Sequence, residues 1–308
     1  ETNMSQLLRQ RKFQSEATGS LLAFTIPHLM FNLNGKVMFD WQRVSAGLNS
    51  LSDASGSEQK TWLLGAFVSP KILLHFGNRL QWLVYVPVGV KYYHSADGSL
   101  DYDKRFFSTC PYSNLTYKPT GRLSFDLTTI CEESMPSVLS QMVLKHFVNY
   151  RTTMSNPYQV EIVPNRSVKL AFTSSYKDII KMLFGGVTLS YVDARNGNSM
   201  GYQVVDEVVN YIVQSQSTKN RVWQIEQTVA KGFFRWNSKI SESLSIGTSR
   251  SEYYVGGDCH DGRSDYLQAK ISYVASVRKW LNLSISNDYS VSKPYTDGKA
   301  SGEVYRTF

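Results

Sequence analysis

Apolar and polar residues alternate along most of this chain, and the alternation stops and restarts at intervals. In Ser167-Val168-Lys169-Leu170-Ala171-Phe172-Thr173-Ser174-Ser175-Tyr176 the apolar side chains fall on one face; after Lys177-Asp178 the pattern resumes at Val187-Thr188-Leu189-Ser190-Tyr191. A period of two predicts strands with one apolar and one polar face. Thr61 to Phe76 and Leu80 to Tyr93 form such a pair around Gly77-Asn78-Arg79, in a register that sets Ile72 against Val84, Leu74 against Trp82 and Phe76 against Leu80, with His75 meeting Gln81 on the other side. Phe106 to Ile130 turns at Lys118-Pro119-Thr120-Gly121, with Leu115 set against Phe125 and Tyr117 against Leu123. Tyr266 to Val291 turns at Arg278-Lys279-Trp280, which pairs Val277 with Leu281, Ala275 with Leu283, Tyr273 with Ile285, Ser272 with Ser286 and Lys270 with Asp288. Near the start, Asn34-Gly35 predicts a hairpin between Ser20–Phe31, broken by Pro27, and Lys36–Val44. Arg221–Phe234 and Ile240–Tyr254 join at Arg235 to Lys239, and residues 1 to 16 read as the tail of a strand.

Short turns alternate with long polar loops, expected at 49–59, 94–104, 131–164, 193–220, 256–265 and 292–300. In the longest, Pro136 to Asn149 predicts a short helix, and Val204 to Val213 within 193–220 predicts a β-arm rising above the main sheet. Short turns at one end and long loops at the other is the pattern of outer-membrane barrels, and Trp82, Trp236 and Trp280 stand near short turns, where an interfacial girdle belongs. The fold expected is all-β: an antiparallel transmembrane β-barrel of about 13–14 strands. The competing reading is a soluble sandwich whose apolar faces pack on each other.

Composition narrows this little. The 19 Tyr, 15 Phe and 6 Trp suit strands with contrasting faces, and no apolar run approaches the roughly 18 residues of a transmembrane helix. The formal charge of +8 suits an anionic surface such as lipopolysaccharide headgroups; no clustered Lys/Arg stripe interleaved with aromatics points to nucleic acid.

The unit around the first strands named carries a likeness. Asn156-Pro157, then Glu161, the polar pair Lys177-Asp178 and the Leu189-Ser190-Tyr191 strand resemble the C-terminal half of Bacteroidetes-type TonB-dependent outer-membrane transporters, with Met135-Pro136-Ser137 before the long loop adding to the match. The resemblance covers roughly residues 60 to 300 and implies a barrel region across residues 1–308, part of a larger barrel, in the bacterial outer membrane. It also implies a plug domain that is not visible in this chain, coupling to the TonB complex through that missing segment, and a surface lipoprotein as a candidate partner. A count of about thirteen strands, odd where bacterial barrels close with even numbers, points the same way, to a barrel fragment. The cargo implied is a nutrient such as a glycan, peptide or metal chelate. Two alternatives stand beside it: a stand-alone passive channel, and a soluble or surface-attached carbohydrate-binding β-protein.

Candidate ligand contacts are loop residues: Tyr150, Tyr158, Tyr202, Tyr211, Tyr253 and Asp258. No catalytic, metal or cofactor site is expected, because His28, His75, His94, His146 and His260 show neither a nucleophile elbow nor metal-ligand spacing, and Asp258-Cys259-His260-Asp261 reads as a solvated loop. Cys110 and Cys131 flank one hairpin turn and are candidates for a disulfide; the register expected there turns Cys131 to the opposite face, so a bridge requires a bulge or an early strand end.

Overall fold

The computed structural model describes residues 5–49, 54–96, 101–136, 138–141, 146–149, 151–156, 160–205, 208–278, 281–300, 302 and 304–307. An antiparallel meander begins with β1 (Ser5–Ile26), β2 (Leu29–Asn49) and β3 (Ala54–Phe76). It continues through β4 (Leu80–Tyr85), β5 (Val88–Ala96), β6 (Asp101–Thr109), β7 (Tyr112–Tyr117) and β8 (Leu123–Ser134). β4 and β5 form one line interrupted at Val86-Pro87, and β6 and β7 another interrupted at Cys110-Pro111, since proline brings no N–H to a ladder. A long excursion follows, holding α1 (Val138–Gln141), β9 (His146–Asn149) and β10 (Thr152–Ser155). β11 (Asn165–Asp178) rejoins the sheet beside β8 and leads into β12 (Leu183–Asn196). The hairpin of β13 (Ser199–Val205) and β14 (Val208–Gln214) is a spur, because β12 pairs directly with β15 (Thr218–Phe233). The wall ends with β16 (Ser238–Val255), β17 (Asp258–Arg278), β18 (Leu281–Thr296), β19 (Lys299–Ala300) and β20 (Val304–Thr307). Among the described residues no pairing joins β1 to β18 or β20, so the sheet is open.

The two faces differ as the alternation requires. Across β8, β11 and β12 one face carries the row Leu127–Phe172–Leu189, and the opposite face carries Asp126–Thr173–Thr188 one residue away. On β16 to β18 the rows are Ile246–Leu267–Val291 and Ser241–Ser272–Ser286. The apolar rows stay exposed: Phe107 is 69%, Trp223 60%, Ile285 58% and Ile225 50% accessible. Only seven apolar residues are buried among those described. A sandwich would bury one face of each sheet, whereas this single layer has no second one to cover it, so the apolar face belongs against lipid. Aromatic rings bound it. Trp82 stands near the short-turn end and Tyr92, against Trp62 at 5.0 Å, near the other; ten residues of tilted strand separate them, about 25 Å, the height of an outer-membrane apolar band. The sheet is therefore all-β, antiparallel and of outer-membrane type.

Several connections differ from expectation. The first hairpin turns at Pro27-His28, and Asn34-Gly35 lies inside β2, with Gly35 opposite both Gly19 and Val68. The outward row Phe31, Leu33, Val37, Phe39, Trp41 runs straight through it, and continuity of that row outweighs the local turn preference. The β11–β12 turn comprises residues 179–182, after Lys177 and Asp178, which still pair. At 256–265 the chain is mostly strand: Gly256 and Gly257, at φ 61° and 103°, make a two-residue turn and Val255 pairs with Asp258. Asp297-Gly298, at φ 48° and 78°, closes the next pair just as tightly within 292–300. Strand likewise occupies 54–59 and much of 94–104. The β7–β8 register is two residues from the expected one, Leu115 facing Leu127 and Tyr117 facing Phe125. Cys131 consequently donates its N–H to the Pro111 carbonyl at 3.1 Å, and Cys110 and Cys131 are free thiols, without the bridge considered from the sequence.

Candidate functional site

The end of the sheet opposite the short turns carries two structures built from the excursion and the spur. The excursion folds inward. Val138 and Gln141 of α1 are buried, α1 packs on β2 and β10, and the Gln141 side chain accepts a hydrogen bond from the Tyr93 hydroxyl on the polar face while donating to the Pro136 carbonyl at 3.1 Å. Further along, Lys104 of β6 pairs with Glu161, and the Tyr102 hydroxyl donates to the same carboxylate at 3.3 Å. The Lys104 ammonium holds the Glu161 carboxyl below its ordinary value, while burial, then the Glu161 charge, pushes the Tyr102 phenol up.

The spur is pinned on both sides. β10 adds to β14 in parallel from Thr152 opposite Val209 to Ser155 opposite Ile212, and Thr153 Oγ1 donates to Asn210 Oδ1 at 2.5 Å. On the other flank Gly201 and Tyr202 pair in parallel with Tyr254 and Val255 of β16. Asparagines then tie the excursion to the base of the spur: Asn198 accepts the Val163 N–H at 3.0 Å and donates to the Glu161 carbonyl at 2.8 Å, and Asn165 accepts the Gly197 N–H at 2.9 Å. Asparagine suits these positions because one side chain can satisfy a backbone donor and a backbone acceptor at once.

Between the two structures lies a pocket of about 390 Å³ whose lining includes Gln141, Asn156, Asn196, Asn198, Ser199 and Tyr253. Among the described residues its polar lining is almost all amide and hydroxyl; the one carboxylate among them, Glu252, accepts the Lys219 N–H at 3.0 Å. Met200, Val160 and Ile162 supply apolar wall. The Ser199 hydroxyl is 2% exposed and has no hydrogen-bond partner in the structure, so it is a donor and acceptor left over beside the cavity. Such a surface can hold an uncharged polar solute by hydrogen bonds with its carbon skeleton against Tyr253 and Met200.

Of the residues named from sequence, Tyr253 lines this pocket and stacks on His260 at 5.7 Å; His260 in turn meets Asp297 at 2.7 Å. That contact, with the Asp261 N–H, holds the Asp297 carboxyl below its ordinary value. Tyr202 and Tyr211 face each other across the spur, ring centroids 6.3 Å apart, outside the pocket lining. Asp258 is exposed at the start of β17, also outside it. Tyr150 and Tyr158 lie outside the described residues. The amides were missed: Asn196-Gly197-Asn198-Ser199 is the sequence signal that marks them, a polar run between two strands. Among the described residues no three His, Cys, Asp or Glu side chains are grouped to hold a metal.

No family profile matches the sequence, and no curated protein is similar to it. Solved structures are. The copper transporter OprC superposes with a TM-score of 0.60 at 10% identity, over 96% of this chain and 52% of that one. The structure of the FpvAI–pyocin S2 complex gives 0.52 at 9% identity, over 99% of this chain and 49% of the matched one. The chain thus spans about half the length of these neighbours. The likeness is one of fold alone: the sheet is that of an outer-membrane β-barrel.

Proposed function

We propose that this chain is the barrel portion of a TonB-dependent outer-membrane transporter, with the short turns periplasmic and the excursion and spur extracellular. The observation that carries this reading is the amide-lined pocket formed where the two folded excursions meet over the polar face of a lipid-facing sheet. Energy coupling would come from the TonB complex acting on a plug segment. The finer placement among Bacteroidetes-type transporters is supported by the Asn156-Pro157 to Tyr191 stretch.

Among the expected cargo classes the lining favours a glycan or peptide over a polyanionic chelate, since the described lining residues include one carboxylate, Glu252, and no lysine or arginine. The test is uptake of labelled neutral oligosaccharides and peptides by cells expressing the whole protein, with and without a protonophore. Accumulation that stops when the proton gradient collapses, and that weakens in Asn198→Ala, is expected. Uptake indifferent to the gradient would make the chain a passive channel.

A further inference from the structure

The outward face holds a feature that transport does not use. Arg221 of β15, Arg250 of β16 and Arg263 of β17 are directly opposed in register, making a row of three guanidinium groups across adjacent strands. Neighbouring strands are about 4.8 Å apart, and like charges directly opposed across strands are destabilising unless something compensates. Compensation within the chain is partial. Asp265 takes Arg263 through two bonds of 2.9 and 2.8 Å, and Asp193 stands 3.6 Å from Arg221. Arg250 is exposed and has no carboxylate within salt-bridge distance among the described residues. Lys293, opposite Asp265, adds a fourth cation to the same face.

Immediately toward the short-turn end lies a groove of about 820 Å³ with Trp223, Ile225, Ile246, Leu267, Tyr289 and Val291 along it, and with Asp265 and Lys293 at its rim. Trp223 packs on Tyr191 at 4.4 Å and belongs to the aromatic belt, so the arginines sit just beyond the apolar band. Arg221 is about thirteen residues from Phe234, or about 30 Å above the short turns at the usual strand tilt, which is headgroup depth. The same order recurs on β1 to β3, where Arg11, Arg43 and Lys60 stand in register just beyond the paired Trp41 and Trp62.

We propose that this groove and arginine row form a site for a phosphorylated lipid of the outer leaflet, one acyl chain lying over Ile225, Ile246 and Leu267 and a headgroup phosphate held by Arg250 and Arg263. The site fits lipopolysaccharide chemistry, in which phosphates and acyl chains occupy adjacent depths. It rests on the extracellular placement of the loop end and is independent of what is transported.

The test uses the whole protein in detergent, native mass spectrometry to count bound lipid, and purified lipid A as the probe beside lipid A stripped of its phosphates. Wild type is expected to retain lipid A. The double variant Arg250→Gln/Arg263→Gln is expected to bind it about 30-fold more weakly, at about 1 kcal/mol per basic residue, while keeping a heat-modifiable band. Lys239→Gln/Lys270→Gln, an equal charge change on the polar face, is expected to leave binding intact. Equal retention by the arginine variant, equal binding of the phosphate-free lipid, or displacement by excess inorganic phosphate, as at a free-anion site, would each overturn the proposal and leave the barrel standing. If the arginine variant does not fold, the comparison of the two lipids on wild type decides alone. Recovery of wild type without a heat-modifiable band would overturn the barrel and this site together.

Discussion

Phe172 and Thr173 are neighbours in sequence whose side chains serve opposite solvents, so one substitution introduced at each in turn measures which face meets lipid. Phe172 is flanked in register by Leu127 and Leu189 and stacks on Phe125 at 6.1 Å, whereas Thr173 shares a hydrogen bond with Thr188 at 3.2 Å on the polar side. Phe172 lies about seven residues from the turn at 179–182, which at the usual strand rise and tilt is about 16 Å into an apolar band about 25 Å tall. An arginine there costs about 2–4 kcal/mol near mid-depth, and loss of the part-exposed phenyl ring adds about 1 kcal/mol more. Phe172→Arg is therefore expected to destabilise the folded barrel by about 4 kcal/mol, and Thr173→Arg by less than about 1 kcal/mol, since the polar face tolerates charge. Urea titration of the whole protein in lipid vesicles, followed by the heat-modifiable band, gives both values. Equal losses, or a larger loss for Thr173→Arg, would refute the assignment of faces and with it the membrane reading of this sheet.

Three further outcomes follow from local geometry. Lys91 and Glu133 pair at 2.7 Å with side chains only 9% and 10% exposed, so Lys91→Met strands a buried carboxylate and is expected to cost about 3–5 kcal/mol by the same titration, with Lys91→Met/Glu133→Gln recovering much of it. At φ 103° Gly257 occupies backbone that side chains rarely adopt, so Gly257→Val is expected to lose about 1–2 kcal/mol, read as faster amide exchange at the ends of β16 and β17, while Ser264→Val, within β17, leaves that turn unchanged. The His260 contact, then the Asp261 N–H, hold the Asp297 carboxyl below its ordinary value, so its contribution to the β18–β19 turn is complete above the ordinary carboxylate range and is lost as pH falls through the lower native value; protection of the Asp261 amide, corrected for intrinsic exchange, is expected to fall there in wild type and to stay flat in Asp297→Asn.

Much of the wall was legible because register is written twice, in the apolar row and in the polar row. The pairs Ile72–Val84, Leu74–Trp82 and His75–Gln81 occur as expected, as do Ala275–Leu283, Tyr273–Ile285 and Lys270–Asp288. Where two registers place apolar residues equally well, the turn decides. Leu115 finds an apolar partner in either Phe125 or Leu127, and the longer connection, capped by Thr120 Oγ1 accepting from the N–H groups of Arg122 and Leu123, selects Leu127. Asn34-Gly35 misled because a strong local signal says nothing of the neighbouring strands that use Gly35 as a flat position. The pocket was less legible than the wall. Tyr253 stands out in the sequence as an aromatic residue in an expected loop, and it lines the pocket, whereas Asn165 and Asn198 meet their backbone partners across 32 to 37 residues, which no spacing reveals.

The β10–β14 bridge makes a single lever of two loops. Four parallel residue pairs, the Thr153–Asn210 bond and the asparagine ties must all break before the excursion can leave the spur. At about 0.5–1.5 kcal/mol for each net hydrogen bond, and about one bond for each strand pair, separation costs about 4–12 kcal/mol, which leaves the parted form well below about one molecule in a hundred. Entry to the bore by such parting is then an all-or-none event in which both loops swing together, and a solute that strains one of them is felt at the other.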